Sequence, residues 1–177
     1  MPSGNTHDAI TFILAAPAAV VTYYATDSFA AAAIVTAAFI FGGLMFGPDL
    51  DVASKQYSRW MFFRFLWFPY RSFFKHRSRW THGLIFGTLF RVVYFMGVVT
   101  IILFASSYCS AIFFRTEMPQ PADLAEAWRA AGSLLRLHAG GYMLLLVFAG
   151  MWTGAASHTF ADMAGTYIKT GRSGGFL

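Results

Sequence analysis

Cysteine is almost absent. Cys109 stands alone in the middle of an apolar run, where it is expected to lie buried mid-span, and a single thiol excludes an internal disulfide and a thiolate metal cluster. Charge is scarce as well: 12% of the 177 residues are charged, against 57% hydrophobic, and the mean hydropathy is +0.54. That balance excludes an ordinary soluble domain, because a chain of this size cannot hide several long apolar stretches on all their faces. Met1 to Asp8 contains no Lys or Arg. The first apolar run therefore lacks the basic leader of a cleavable signal peptide and is expected to remain in the mature chain. No internal repeat is visible.

What the chain has instead is four long apolar stretches: Ile10 to Ala25, Phe29 to Phe46, roughly Val92 to Phe114, and Ala139 to Ala161. Each is near the ~20 residues that a helix needs to cross a bilayer core. The expected fold is all-α and polytopic, with about four transmembrane helices plus an interfacial helix. It forms a single metal-binding domain over residues 1–170, followed by a flexible tail over 171–177. Thr6 is placed to cap the first helix and Pro17 to bend it, with a turn at Thr26 to Ser28. Gly42, Gly43 and Gly47 permit close approach of another helix, and Pro48 stops the second span. Between Gln56 and Phe74, aromatic residues alternate with Arg59, Arg64 and Arg71. That stretch is too charged to span and too apolar for a solvated loop, so it reads as an interfacial segment broken at Pro69. The connection from Arg115 to His138 contains an amphipathic run.

Four spans put the N-terminus, the segment from Asp49 to His82, and the residues after His158 on one side. Of the thirteen basic residues, nine fall there (Lys55, Arg59, Arg64, Arg71, Lys75, Arg77, Arg79, Lys169, Arg172), against three (Arg115, Arg129, Arg136) on the other, with Arg91 inside the third span. The positive-inside rule then predicts a multi-pass protein of the cell inner (plasma) membrane with termini and site in the cytoplasm. The net charge of +5 reads as topology and as attraction to the bilayer and its anionic lipid headgroups, and no nucleic-acid partner is expected.

Four of the five histidines and four of the eight acids gather on that same side. His76-Arg-Ser-Arg-Trp-Thr-His82 packs two histidines and two arginines into seven residues of a very apolar chain. Asp49-Leu-Asp51 follows Gly47-Pro48; on an extended backbone both carboxylates share a face, where they repel unless a cation lies between them. His158 and Asp162 are four residues apart, which stacks an imidazole and a carboxylate on one helical face. His7 precedes Asp8, which is placed to orient an imidazole. Ionisable clusters at membrane depth are functional by default. Imidazole and carboxylate together suit zinc, with manganese and iron as alternatives. His7, Asp49, Asp51, His76, His82, His158 and Asp162 make seven candidate ligands. That exceeds the three or four that one zinc takes, so a pair of divalent ions follows more naturally. His138, on the opposite side, is left out.

Thr6-His7, GPDLD at 47–51, HRSRWTH at 76–82 and HTFAD at 158–162 resemble the ordered motifs of membrane-bound metal-dependent hydrolase families. The closest likeness is to an uncharacterised metal-binding family typified by cyanobacterial proteins, covering nearly the whole chain. Through those families the chain is distantly similar to zinc-dependent phospholipases C and single-strand-specific zinc nucleases. The resemblance implies the same seven ligands. The zinc hydrolases use further His and Glu ligands and a free N-terminal amine, whereas this chain has no Glu on the expected cytoplasmic side.

Two functions follow as expectations. One is a hydrolase acting on a phospholipid or other phosphoester substrate, with Arg77 and Arg79 orienting the phosphate and Asp51 or Asp8 accepting a proton. The other is a non-catalytic metal-binding membrane protein: a sensor, carrier or assembly factor.

Overall fold

The structure is a computed structural model that describes residues 3–74, 83 and 86–171. The run from His76 to His82 and the tail beyond Gly171 lie outside the described residues. Every regular element among those described is helical. Four stretches are long and apolar enough to cross a membrane: Gly4–Thr26, Phe29–Asp51, Phe86–Phe114 and Met143–Thr170. The protein is thus an all-α polytopic membrane protein. The chain divides into two compact units, residues 1–91 with 145–177, and residues 92–144.

In the first unit, α1 (Gly4–Thr26) is capped by Ser3, whose Oγ accepts from the Thr6 N–H at 3.3 Å. The helix therefore begins three residues before the expected Thr6 cap, and His7 falls within its first turns. Asp27, at φ 48°, closes α1 in the left-handed region and turns the chain into α2 (Phe29–Leu44). Little of α1 is buried, and Phe12, Ile13, Val20, Val21 and Tyr24 point outward, as expected of a helix solvated by lipid.

The buried face of α2 carries small residues because two neighbouring helices come close to it. A Cβ on Gly43 would sit 2.5 Å from Thr11 Cγ2 of α1. On another side, a Cβ on Gly42 would meet the Met151 carbonyl oxygen at 2.2 Å, and one on Gly154 would meet the Phe39 oxygen at 2.0 Å. Met151 and Gly154 belong to α7 (Met143–Thr170). Gly150 and Gly154 form a small-xxx-small seam of the kind that lets membrane helices pack backbone to backbone. Helices α1, α2 and α7 are thereby held side by side.

After α2, Pro48 starts a one-turn 3-10 helix, Pro48–Asp51. The short α3 (Lys55–Arg59), a second 3-10 stretch (Met61–Trp67) and α4 (Phe68–Phe73) follow. Pro69 stands in the first turn of α4, so it opens a helix and does not break one. This segment is two-sided. Trp67 and Tyr70 are fully buried, Trp67 packs edge-on against Phe46 and Trp60, and Trp60 Nε1 donates to the Met45 carbonyl at 2.9 Å. Met61, Phe62, Phe63, Phe65, Phe68 and Phe73 face outward.

The third long helix, α5 (Phe86–Phe114), starts six residues before the expected Val92. Its first turns hold Arg91, which interrupts the hydropathy of the sequence but is buried in the fold, its Nη2 donating to Thr88 Oγ1 at 2.9 Å. Cys109 lies mid-helix on α5 and is exposed, not buried; on an apolar spanning helix such a position faces lipid. In the second unit the amphipathic run forms α6 (Pro121–Ala139), opened by a capping box between Gln120 and Asp123. Trp128 Nε1 reaches Thr100 Oγ1 at 3.1 Å. Helix α7 begins at Met143, four residues after the expected Ala139, because Gly140 at φ 87° ends α6.

Candidate metal centre

The site lies wholly in the first unit, where the start of α1, the turn after α2 and the middle of α7 reach the same level. His7 and His158 stack face to face, with ring centroids 3.7 Å apart and planes 9° from parallel. Asp162, one turn beyond His158 and fully buried, places Oδ1 3.2 Å from His7 Nε2 and Oδ2 3.8 Å from His158 Nε2. From the 3-10 turn, Asp49 Oδ2 comes within 3.3 Å of His158 Nε2. His7, His158 and Asp162 each offer a ligand atom, all within 4.8 Å of one another. Four of the seven expected ligands are thus brought together.

Asp51 is buried, and with Asp49 it stands on the 3-10 turn Pro48–Asp51. The backbone there is a 3-10 turn of about three residues per turn, not the expected extended strand on which residues i and i+2 share a face. The buried Arg91 guanidinium lies close enough to Tyr70, Asp51 and Asp49 to interact with all three. His76, Arg77, Arg79 and His82 lie outside the described residues.

The donor set fits a metal ion. His7 Nδ1, His158 Nε2 and both carboxylate oxygens of Asp162 are shielded from solvent, and none has a hydrogen-bond partner among the described residues. Buried polar atoms left without partners are costly and rare. One divalent cation between His158 Nε2 and the Asp162 carboxylate, on the side that His7 Nε2 also faces, would satisfy those atoms together, and the donor types match zinc, manganese or iron.

Beside these ligands opens a cavity of about 370 Å³ whose wall includes His7, Asp49 and His158 together with Asp8, Lys55 and Arg59. Asp8 does not orient an imidazole as the sequence suggests. Its carboxylate accepts from the Lys55 ammonium and, at 2.6 Å, from Arg59 Nη2. Arg59 Nη1 also donates to the Leu44 carbonyl at 2.8 Å. One arginine of the expected interfacial belt is therefore built into the wall of the site.

Gln56 is the contributor that sequence reasoning missed. Its Nε2 donates to the Gly43 carbonyl at 2.8 Å and lies 3.1 Å from His158 Nδ1, and its Oε1 accepts from the Asp49 N–H at 3.2 Å. Gly47 makes room for it, since a Cβ there would stand 2.2 Å from Gln56 Nε2. An uncharged amide two residues past a serine cap carries no local signal of such a role. The glycine before Pro48 was the only available hint of a close approach.

Over 57 residues the chain is 42% identical to an uncharacterized protein of Aquifex aeolicus (strain VF5). The match covers 32% of this chain and 40% of that protein, so the chain spans well under half the length of this curated relative. No solved structure matches. The family described as uncharacterized metal-binding protein (DUF2227) matches residues 2–172, nearly the whole sequence, and the chain belongs to that family.

Proposed function

We propose that this protein is a membrane-embedded metal-dependent hydrolase acting on a phosphoester, such as a lipid headgroup, at the cytoplasmic face of the inner membrane. One observation carries the reading: the ligand-bearing residues form part of a cavity wall that also presents Lys55 and Arg59. A purely structural ion needs no such space beside it, and cationic groups there suit an anionic substrate. Zinc is the proposed metal, with His7, Asp49, His158 and Asp162 holding it. His76 and His82, with Asp51, supply ligands for a second ion. When bound, such an ion supplies Lewis-acid polarisation of a phosphoryl group. The chain's own residues do the rest: Arg59, braced on Leu44, and Lys55 attract the phosphate, and Asp8 sets their separation. Arg77 and Arg79, next to His76 in sequence, add to the same grip, and Asp51 accepts a proton. The excess of basic residues on this side supports the cytoplasmic orientation and contact with anionic lipid.

Elemental analysis of the purified protein, followed by a panel of phosphomonoesters, phosphodiesters and phospholipids, tests this reading. Turnover that is lost on chelation and restored by the metal supports it. Stoichiometric metal with no turnover of any substrate overturns it in favour of the second reading, an ion that serves structure or sensing. One feature favours that alternative: the four ligands come from three separate elements, so an ion would tie α1, the turn and α7 together.

A further inference from the structure

The orientation of the Gln56 carboxamide is fixed by two backbone groups whose polarity is not in question. The Gly43 carbonyl can only accept, at 2.8 Å, and the Asp49 N–H can only donate, at 3.2 Å. Turning the amide over would set oxygen against oxygen at one end and N–H against N–H at the other. Gln56 is buried, with 4% of its surface exposed, so both clashes would fall inside the protein. Its second Nε2 hydrogen therefore faces His158 Nδ1 at 3.1 Å, and Nδ1 is the acceptor. A neutral imidazole carries one proton. With Nδ1 accepting, that proton sits on Nε2, the nitrogen that faces Asp49 and Asp162 at 3.3 and 3.8 Å.

This is the opposite of what a metal ligand needs. A histidine that ligates through one nitrogen normally donates the N–H of the other to a carbonyl or carboxylate, and that partner fixes the ring. At His158 the partner is itself a donor.

We propose that Gln56 is a tautomer latch: it holds His158 as the Nε2–H form, and the amide must turn over before the ring can ligate an ion through Nε2. The proton balance is internal. The imidazole proton leaves Nε2 and appears on Nδ1, where it is donated to Gln56 Oε1, and the ring stays neutral. Turning the amide releases the Gly43 carbonyl and the Asp49 N–H together, so ion capture is coupled to the turn that carries Asp49. The latch lowers metal affinity at this position and makes binding a switch of the 47–49 turn. It rests on metal binding alone, not on hydrolysis.

The test is ¹⁵N-histidine NMR of the full metal-free chain in nanodiscs at pH 8, with the His158 signals identified by their loss in His158→Ala. The wild type should show Nε2 protonated and Nδ1 as acceptor; Nδ1–H in the wild type overturns the proposal. Gln56→Glu offers only acceptors, so its metal-free His158 should switch to Nδ1–H, and zinc titration should give a dissociation constant about tenfold lower. A Gln56→Glu spectrum unchanged from wild type also overturns it, even with tighter zinc binding, since added negative charge alone would then account for the affinity. Should Gln56→Glu not fold, Gln56→Met takes its place: loss of the fixed tautomer supports the latch, and retention of pure Nε2–H overturns it.

Discussion

His7 and His158 stand with their rings in parallel contact at 3.7 Å, although one lies in the first turns of the first helix and the other far along the last. Nothing in either helix alone requires this. The contact follows from packing: Gly43 admits Thr11 of α1, and Gly42, Gly150 and Gly154 bring α7 against α2. Helix contact without side chains in between fixes axial position closely. Two imidazoles from different helices therefore arrive at one level, with Asp162 beneath them.

That convergence makes the ligand variants predictable. His7→Ala, His158→Ala and Asp162→Ala should each lower bound zinc severely, because each removes one donor from a set of four drawn from three elements. Asp123→Ala should leave metal content at the wild-type level, since Asp123 serves the capping box of α6 in the other unit. Metal analysis after gel filtration checks this. Full occupancy in all three site variants would falsify the assignment of the centre.

The arginines of the aromatic segment should separate into two classes. Arg59 is bonded to Asp8 and to the Leu44 carbonyl, whereas Arg64 is exposed. Arg59→Gln should reduce phosphoester turnover by about tenfold or more while keeping metal, the loss expected for a charge-assisted contact. Arg64→Gln should keep turnover but weaken binding to anionic vesicles by about 1 kcal/mol. Equal effects of the two changes on vesicle binding, with no effect of either on turnover, would return Arg59 to the role of a lipid anchor.

The spans were legible because long charge-free runs have few alternatives to a bilayer. The same logic misplaced the start of α5, since Arg91 reads as a boundary in hydropathy although it is buried against Thr88, Tyr70 and the acids. His7, Asp49, His158 and Asp162 could be named because each is ionisable and conspicuous in an apolar chain. The 3-10 form of the turn that carries Asp49 and Asp51 could not, because Gly47-Pro48 ahead of two acids is equally compatible with an extended backbone. Gln56 was invisible for the same kind of reason: its importance lies in backbone groups at 43 and 49 that no residue type announces.

Orientation rests on charge asymmetry and is open to direct measurement. In a Cys109→Ser background, a cysteine at position 120 should react with an impermeant thiol reagent applied to whole cells, and one at position 173 should react only after permeabilisation. The reverse pattern would move the metal centre to the outer face and remove the argument for a cytoplasmic lipid substrate.

The glycine seam gives the sharpest stability prediction. A methyl group at position 154 would stand 2.0 Å from the Phe39 carbonyl oxygen, a backbone atom that cannot swing away. Gly154→Ala must therefore push α7 off α2, at a cost of about 1–3 kcal/mol for overpacking. His158 lies one turn further along the same helix, so the displacement should also lower zinc affinity, although residue 154 touches no ligand. Gly97→Ala is the matched control: nothing lies within 4 Å of the added carbon, and replacing glycine by alanine inside a helix is neutral to stabilising, by up to about 1 kcal/mol. Thermal unfolding in detergent, read together with zinc titration, checks both. If Gly154→Ala melts and binds zinc like the wild type while Gly97→Ala does the same, the close approach of α2 and α7 is not what sets His158 in register with His7.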